Sequence, residues 1–128
     1  VKSNFQISVG DACNLVESIP KMWHGKISGV VLDPPYGRNS HGTHGHFELI
    51  SNTIVSARKI VSDNAKLVLI IPIKPNKDNE GLELLHGQWD TFKQMMASSG
   101  AEIIGKWQEH VHASLSRLIL LASISPQD

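Results

Sequence analysis

The residues best equipped for chemistry stand together at positions 33 to 36, where the stretch from Gly29 to Gly37 reads GVVLDPPYG. Asp33 contributes a carboxylate, Pro34 and Pro35 contribute carbonyls beside nitrogens that carry no hydrogen, and Tyr36 contributes a flat aromatic face. Each proline fixes its own φ and supplies no N–H, so carbonyls nearby are less able to continue a ladder and can point into a pocket. Two adjacent acceptors beside an aromatic plate suit the exocyclic amino group of a nucleobase. Its nitrogen is a poor nucleophile, because the lone pair is delocalised into the ring. If the Asp33 carboxylate and the Pro34 carbonyl each take one amino hydrogen, the lone pair is held toward an incoming methyl group, and positive charge growing on nitrogen is stabilised. Tyr36 would stack on the extruded base. An ordinary strand-ending turn uses the same residue types, since Asp and Pro are frequent turn formers.

Strand context favours the chemical reading. Val30, Val31 and Leu32 form an apolar run suited to a strand buried on both faces of a parallel sheet, with Asp33 just past its carboxyl end. Ligands of open α/β sheets collect at that end. Before it, Phe5, Ile7 and Val9 alternate with Gln6 and Ser8 as a strand does, Gly10-Asp11-Ala12 turns, and Leu15, Val16 and Ile19 stripe a short helix that Pro20 closes. The second strand then runs Ile27 to Leu32. Arg38 to His46, RNSHGTHGH, reads as a loop on the Asp33 rim. Its His41, His44 and His46 invite a metal, but metal sites want ligands on rigid elements and a further partner, so no metal is assigned.

Phe47, Ile50, Ile54, Ala57 and Val61 recur at helical spacing, with Ser62-Asp63-Asn64 as the stop. Lys66 leads LVLIIPI, a third strand ending near Pro72, and Lys74 to Gly87 is a polar excursion on the ligand-facing rim. Trp89, Phe92 and Met96 stripe another helix, stopped by Gly100. Ala101 to Val111 and Leu115 to Ser125 then make an antiparallel hairpin, with a bulge expected at Gly105. The order is β–α–β–α–β–α–β–β, an α/β layer fold.

Length and composition agree with one domain: 128 residues, of which 41% are hydrophobic, can bury a core. Twelve Lys plus Arg balance twelve Asp plus Glu, so no basic footprint announces nucleic acid by itself. Cys13 is the single cysteine, which excludes an intramolecular disulfide and makes cytoplasmic residence the default. The longest apolar runs, Leu67 to Ile71 and Leu118 to Ala122, fall far short of a membrane span, and no signal peptide is evident.

The DPPY stretch resembles motif IV of the amino-methyltransferases that use S-adenosylmethionine. The predicted order, closing in a hairpin, is similar to the second half of a class I, Rossmann-like methyltransferase: three layers around a mostly parallel sheet whose last strand is reversed. The opening ISVGDA is similar to the family's third motif, which implies that Asp11 and Ala12 meet the cofactor's adenine, with Asp33 bordering cofactor as well as base. The ending HVHASLSRLILLAS, together with DPPYGR, resembles the THUMP-associated tRNA guanine-N2 methyltransferases. His112, Ser114, Leu115 and Arg117 match, while Ser116 replaces threonine. That resemblance implies substrate-binding roles for Arg38, His112 and Arg117.

Two pieces of the family are missing from the sequence: a THUMP domain and the glycine-rich first motif. Residues 1–128 are therefore expected to form the catalytic-motif half of a longer enzyme, inactive alone and prone to self-association through an exposed sheet edge at Ile27 to Leu32, unless Phe5 to Val9 relocates onto it. DNA adenine or cytosine amino-methylation is the alternative substrate reading, since Asp-Pro-Pro-Tyr serves both. A non-catalytic interaction module is the alternative of a different class.

Overall fold

The computed structural model describes residues 5–34, 42–75 and 82–127, with residues 42–44 described in backbone only. Pro35, Tyr36, Arg38 and His41 lie outside those residues.

Among the described residues, regular structure begins at Asp11. Its carboxylate accepts the N–H of Cys13 at 2.8 Å and caps a 3-10 turn over Ala12–Asn14. One helical turn follows, α1 (Leu15–Ser18), and it stops because Ile19 precedes Pro20 and is held extended. After a second 3-10 turn at Lys21–Trp23, β1 (Ile27–Leu32) pairs in parallel with β2 (Val61–Ile73). Between them α2 (Gly42–Ala57) crosses back over the sheet, burying Phe47, Ile50, Ile54 and Ala57. Next α3 (Trp89–Ser99) buries Phe92 and Met96 and ends on Gly100, whose φ of 96° supplies the left-handed cap. The chain closes with the hairpin β3 (Ala101–His112) and β4 (Leu115–Ile124).

The four-stranded sheet has the order β1-β2-β4-β3. β1, β2 and β3 run one way and β4 is reversed. On one face, Leu67, Leu69 and Ile71 of β2 and Leu118, Leu120 and Ala122 of β4 form a continuous core with α2 and α3. Arg58 fastens the lower end of that layer. Its Nε donates to the Ser125 carbonyl at 3.0 Å and its Nη1 to the Ser99 carbonyl at 3.2 Å, joining the ends of α2, α3 and β4. The opposite face is covered by no helix of the described residues. Val31 stays 74% exposed and Trp107 56%, with Val68, Ile70, Ile119 and Leu121 half-buried between them.

The α/β architecture, the α3 stripe with its glycine stop, the hairpin and the bulge beside Gly105 agree with the sequence reading. Four points do not. Phe5 to Val9 forms no strand, and Phe5, Ile7 and Val9 are 75%, 88% and 104% exposed, so the relocation onto β1 does not occur either. Alternation says which side chains share a face, but it supplies no second surface to bury them against. β1 lies at the sheet's edge as expected, but it is not buried on both faces: Val31 stands in the open on the uncovered face. Gly42 to His46, expected in a loop, opens α2. Finally, Val61 to Asn64, expected to finish that helix, instead opens β2. Asn64 takes φ 61°, a left-handed conformation that Asn tolerates, where pairing jumps from Ile27↔Val61 to Gly29↔Lys66.

Candidate active-site rim

The carboxyl ends of β1 and β2 and the β3–β4 turn share one rim. Asp33 directly follows Leu32, which pairs with Leu69, so Asp33 stands level with Ile70. Its side chain is exposed, and it makes no hydrogen bond or ion pair to any described residue. Pro34 turns inward and is buried. Adjacent positions thus face two environments: a carboxylate open to an incoming group, and a proline anchored in the protein.

Arg117 belongs to the same rim, opposite Pro72 of β2 and Glu109 of β3. Two strand spacings and two residues of offset put its Cα about 12 Å from that of Asp33. Among the described residues its buried Nε has no hydrogen-bond partner, and no carboxylate forms an ion pair with it. A guanidinium in that state favours an anion supplied from outside. His112 is exposed at the hairpin tip, where its Nδ1 accepts the Ser114 N–H at 3.2 Å and lies 3.2 Å from the Ser114 hydroxyl. The turn itself therefore orients this imidazole.

Asp11 and Ala12 are not brought to this rim. Cys13 Sγ lies 3.9 Å from Thr53 Oγ1, and the Leu15 N–H donates to Ser56 Oγ at 2.7 Å. Those contacts tie the segment to the far half of α2, about 16 Å along the helix from its rim end. Pro35, Tyr36 and Arg38 fall outside the described residues.

A feature the sequence reading missed lies beneath the rim. His46, read there as a loop residue, is buried on α2 with its ring 5.1 Å from that of His86. Phe47, Phe92 and Trp89 continue the aromatic series at centroid spacings of 5.5 and 5.7 Å. His86 and Trp89 flank Gly87-Gln88 in the chain, but only packing against α2 reveals the cluster. Among the described residues no group of three or more His, Cys, Asp or Glu could hold a metal ion, and no helix is long and apolar enough to cross a membrane.

No protein-family model and no curated protein matches this chain. Solved structures do. A Thermus thermophilus protein assigned as a DNA modification methylase, crystallised with S-adenosyl-L-methionine, superposes with a TM-score of 0.62 at 16% identity, over 94% of this chain and 53% of that one. The fold is that of S-adenosylmethionine-dependent methyltransferases. A variant of the 16S rRNA adenine-N1 methyltransferase from Catenulisporales acidiphilia gives 0.50 at 18% identity, over 88% of this chain and 58% of that one. TrmN from Thermus thermophilus gives 0.53 at 13% identity, over 90% and 27% respectively. The chain spans about half the length of the first structures it matches.

Proposed function

We propose that this chain is the catalytic-motif half of an S-adenosylmethionine-dependent methyltransferase acting on an exocyclic amino group of a nucleobase. The observation carrying this reading is the position of Asp33-Pro34. The pair lies at the carboxyl end of a parallel strand, in a sheet with a reversed last strand that superposes on methyltransferase structures. When bound, the cofactor supplies an electrophilic methyl group. The chain's own residues prepare the acceptor. The Asp33 carboxylate and the Pro34 carbonyl each accept one amino hydrogen, which localises the lone pair on nitrogen and offsets the charge that builds there. Asp33 is also positioned to receive the proton lost once the new bond forms, and Tyr36 holds the base by stacking.

The described residues fit the acceptor side of this reaction and not a complete cofactor seat. Among them no strand leads through a glycine-rich turn into a helix, and Asp11 and Ala12 sit away from the rim. We infer that the rest of a longer parent supplies that turn, further parallel strands along the open edge of β1, and a layer over the exposed sheet face. Asp11 and Ala12 would reach the cofactor's adenine once residues 5–10 are drawn in as a strand.

The match of His112, Ser114, Leu115 and Arg117 to the tRNA guanine-N2 enzymes favours guanine N2 in tRNA as the target, with Arg38, His112 and Arg117 on the RNA. A DNA amino-methyltransferase is the second reading, favoured by the first structural likeness. Methyl incorporation by the full-length parent, offered unmodified tRNA and duplex DNA side by side, separates the two. Transfer to neither overturns the proposal.

A further inference from the structure

β3 forms the second edge of the sheet, and α3 lies alongside it. There the Trp89 indole is approached by two ammonium groups, Lys93 Nζ at 5.9 Å and Lys106 Nζ at 5.4 Å from the ring centroid. Lys93 comes from the next turn of α3 and Lys106 from β3, so tertiary packing alone brings them together. The ring is held in place. It stacks at 5.7 Å and 17° on Phe92, which is fully buried and meets Phe47 edge-on. A groove of about 340 Å³, lined by Trp89, Lys93, Ile103, Ile104, Gly105 and Lys106, opens beside this plate. A second groove meets it at Trp89 and runs past Gln88 and Leu84 to Lys74, at the end of β2. The two together lead from the outer edge of the sheet toward the Asp33 rim.

The local charge is not a by-product of general basicity, because the chain's formal net charge is zero. Lys93 has the exposed Asp90 carboxylate at 3.5 Å. Lys106 makes no ion pair with any described residue and sits over the indole instead. The bulge in β3 adds to the surface. Ile104 falls between the pairs Ile103↔Ala122 and Gly105↔Leu121 and turns outward, 50% exposed. A fixed aromatic plate flanked by two exposed ammonium groups matches a polymer that alternates flat bases with anionic linkers. A duplex offers only its phosphates to such a surface, whereas an unpaired strand offers both parts.

We propose that this α3–β3 groove binds the backbone and bases of a single-stranded nucleic acid segment, with Lys93 and Lys106 on phosphodiester oxygens and Trp89 against a base. β1 and β3 lie three strand spacings apart, about 14 Å, so the segment held here flanks a base presented at Asp33. The choice of nucleic acid as ligand rests on the proposed function, while the groove itself does not.

The test uses the 128-residue chain and a fluorescein-labelled oligouridylate of about twelve nucleotides, titrated by anisotropy across a salt series. The double variant Lys93→Gln/Lys106→Gln should bind more weakly, and its slope of log affinity against log salt should fall by about 1.4, or 0.7 for each lost contact. Trp89→Ala should weaken binding by roughly 5- to 150-fold. Because that variant also loosens Phe92, the lysine pair, which is exposed, is the deciding measurement. Lys26→Gln/Lys59→Gln removes the same charge from positions elsewhere on the surface and should change neither affinity nor slope. Absence of binding at the lowest salt overturns the proposal, as does an equal loss in both double variants, which would indicate net charge alone. Failure of the two readings is distinguishable. A chain that binds oligouridylate through this groove, in a parent that methylates nothing, retains the groove and loses the enzymatic reading. A methylating parent whose lysine variants bind like wild type does the reverse.

Discussion

Replacing Asp33 by Ala should separate chemistry from folding more cleanly than any other substitution in the chain. The side chain is exposed and makes no hydrogen bond or ion pair to a described residue, so its removal should change stability by no more than about 0.5 kcal/mol. In the proposed reaction the same carboxylate is one of two acceptors holding the amino group. Deleting one positioned hydrogen-bonding group at a developing charge costs roughly 2.7–4 kcal/mol, or about 10²–10³ in turnover. Asp33→Asn should fall between the two enzymes, because Asn keeps an acceptor oxygen but also presents an N–H₂ that repels the amino hydrogens and cannot receive the proton. The assay is transfer of a labelled methyl group by the full-length parent, paired with thermal denaturation of each variant. Turnover within a few-fold of the parent enzyme would refute the role given to Asp33. A lost activity accompanied by a clearly lowered melting temperature would refute the separation of site from scaffold.

The stacking role of Tyr36 predicts that Tyr36→Ala weakens use of the base by about 1–3 kcal/mol while Tyr36→Phe is milder; equal losses in kcat/KM would point to the hydroxyl instead. Phe92, fully buried between Phe47 and Trp89, should cost about 3–5 kcal/mol when cut to Ala, against about 0.5 kcal/mol or less for the exposed neighbour Gln94; urea denaturation that ranks them otherwise would contradict the placement of the core. Without a glycine-rich turn, the isolated chain should bind S-adenosylmethionine no tighter than about millimolar, near −4 kcal/mol, and micromolar binding by calorimetry would defeat the half-domain reading. The open edge at β1 predicts concentration-dependent association that Val31→Lys suppresses, since an edge charge blunts strand pairing; a wild-type chain that sediments as a monomer at every concentration would remove that expectation.

Local chemistry was legible in the residues themselves. Asp33-Pro34-Pro35-Tyr36 after an apolar run announces acceptors at a strand's end, because proline's missing N–H and fixed φ act wherever the chain places them. The α3 stripe and its stop at Gly100 were equally plain, since 3.6-residue periodicity and a left-handed cap are properties of adjacent residues. What only the tertiary structure decided was the set of neighbours. An apolar run such as Val30 to Leu32 reads the same at a sheet's centre and at its edge, yet here it ends up with Val31 in the open. The alternation of Phe5, Ile7 and Val9 likewise describes a strand that no surface receives. Val61 continued the helical spacing perfectly well, but pairing with Ile27 drew it into β2. His46 met His86, and Lys93 met Lys106 across Trp89, through contacts between separate elements that no local periodicity links. Periodicity fixes which side of an element is apolar; packing determines what, if anything, that side faces.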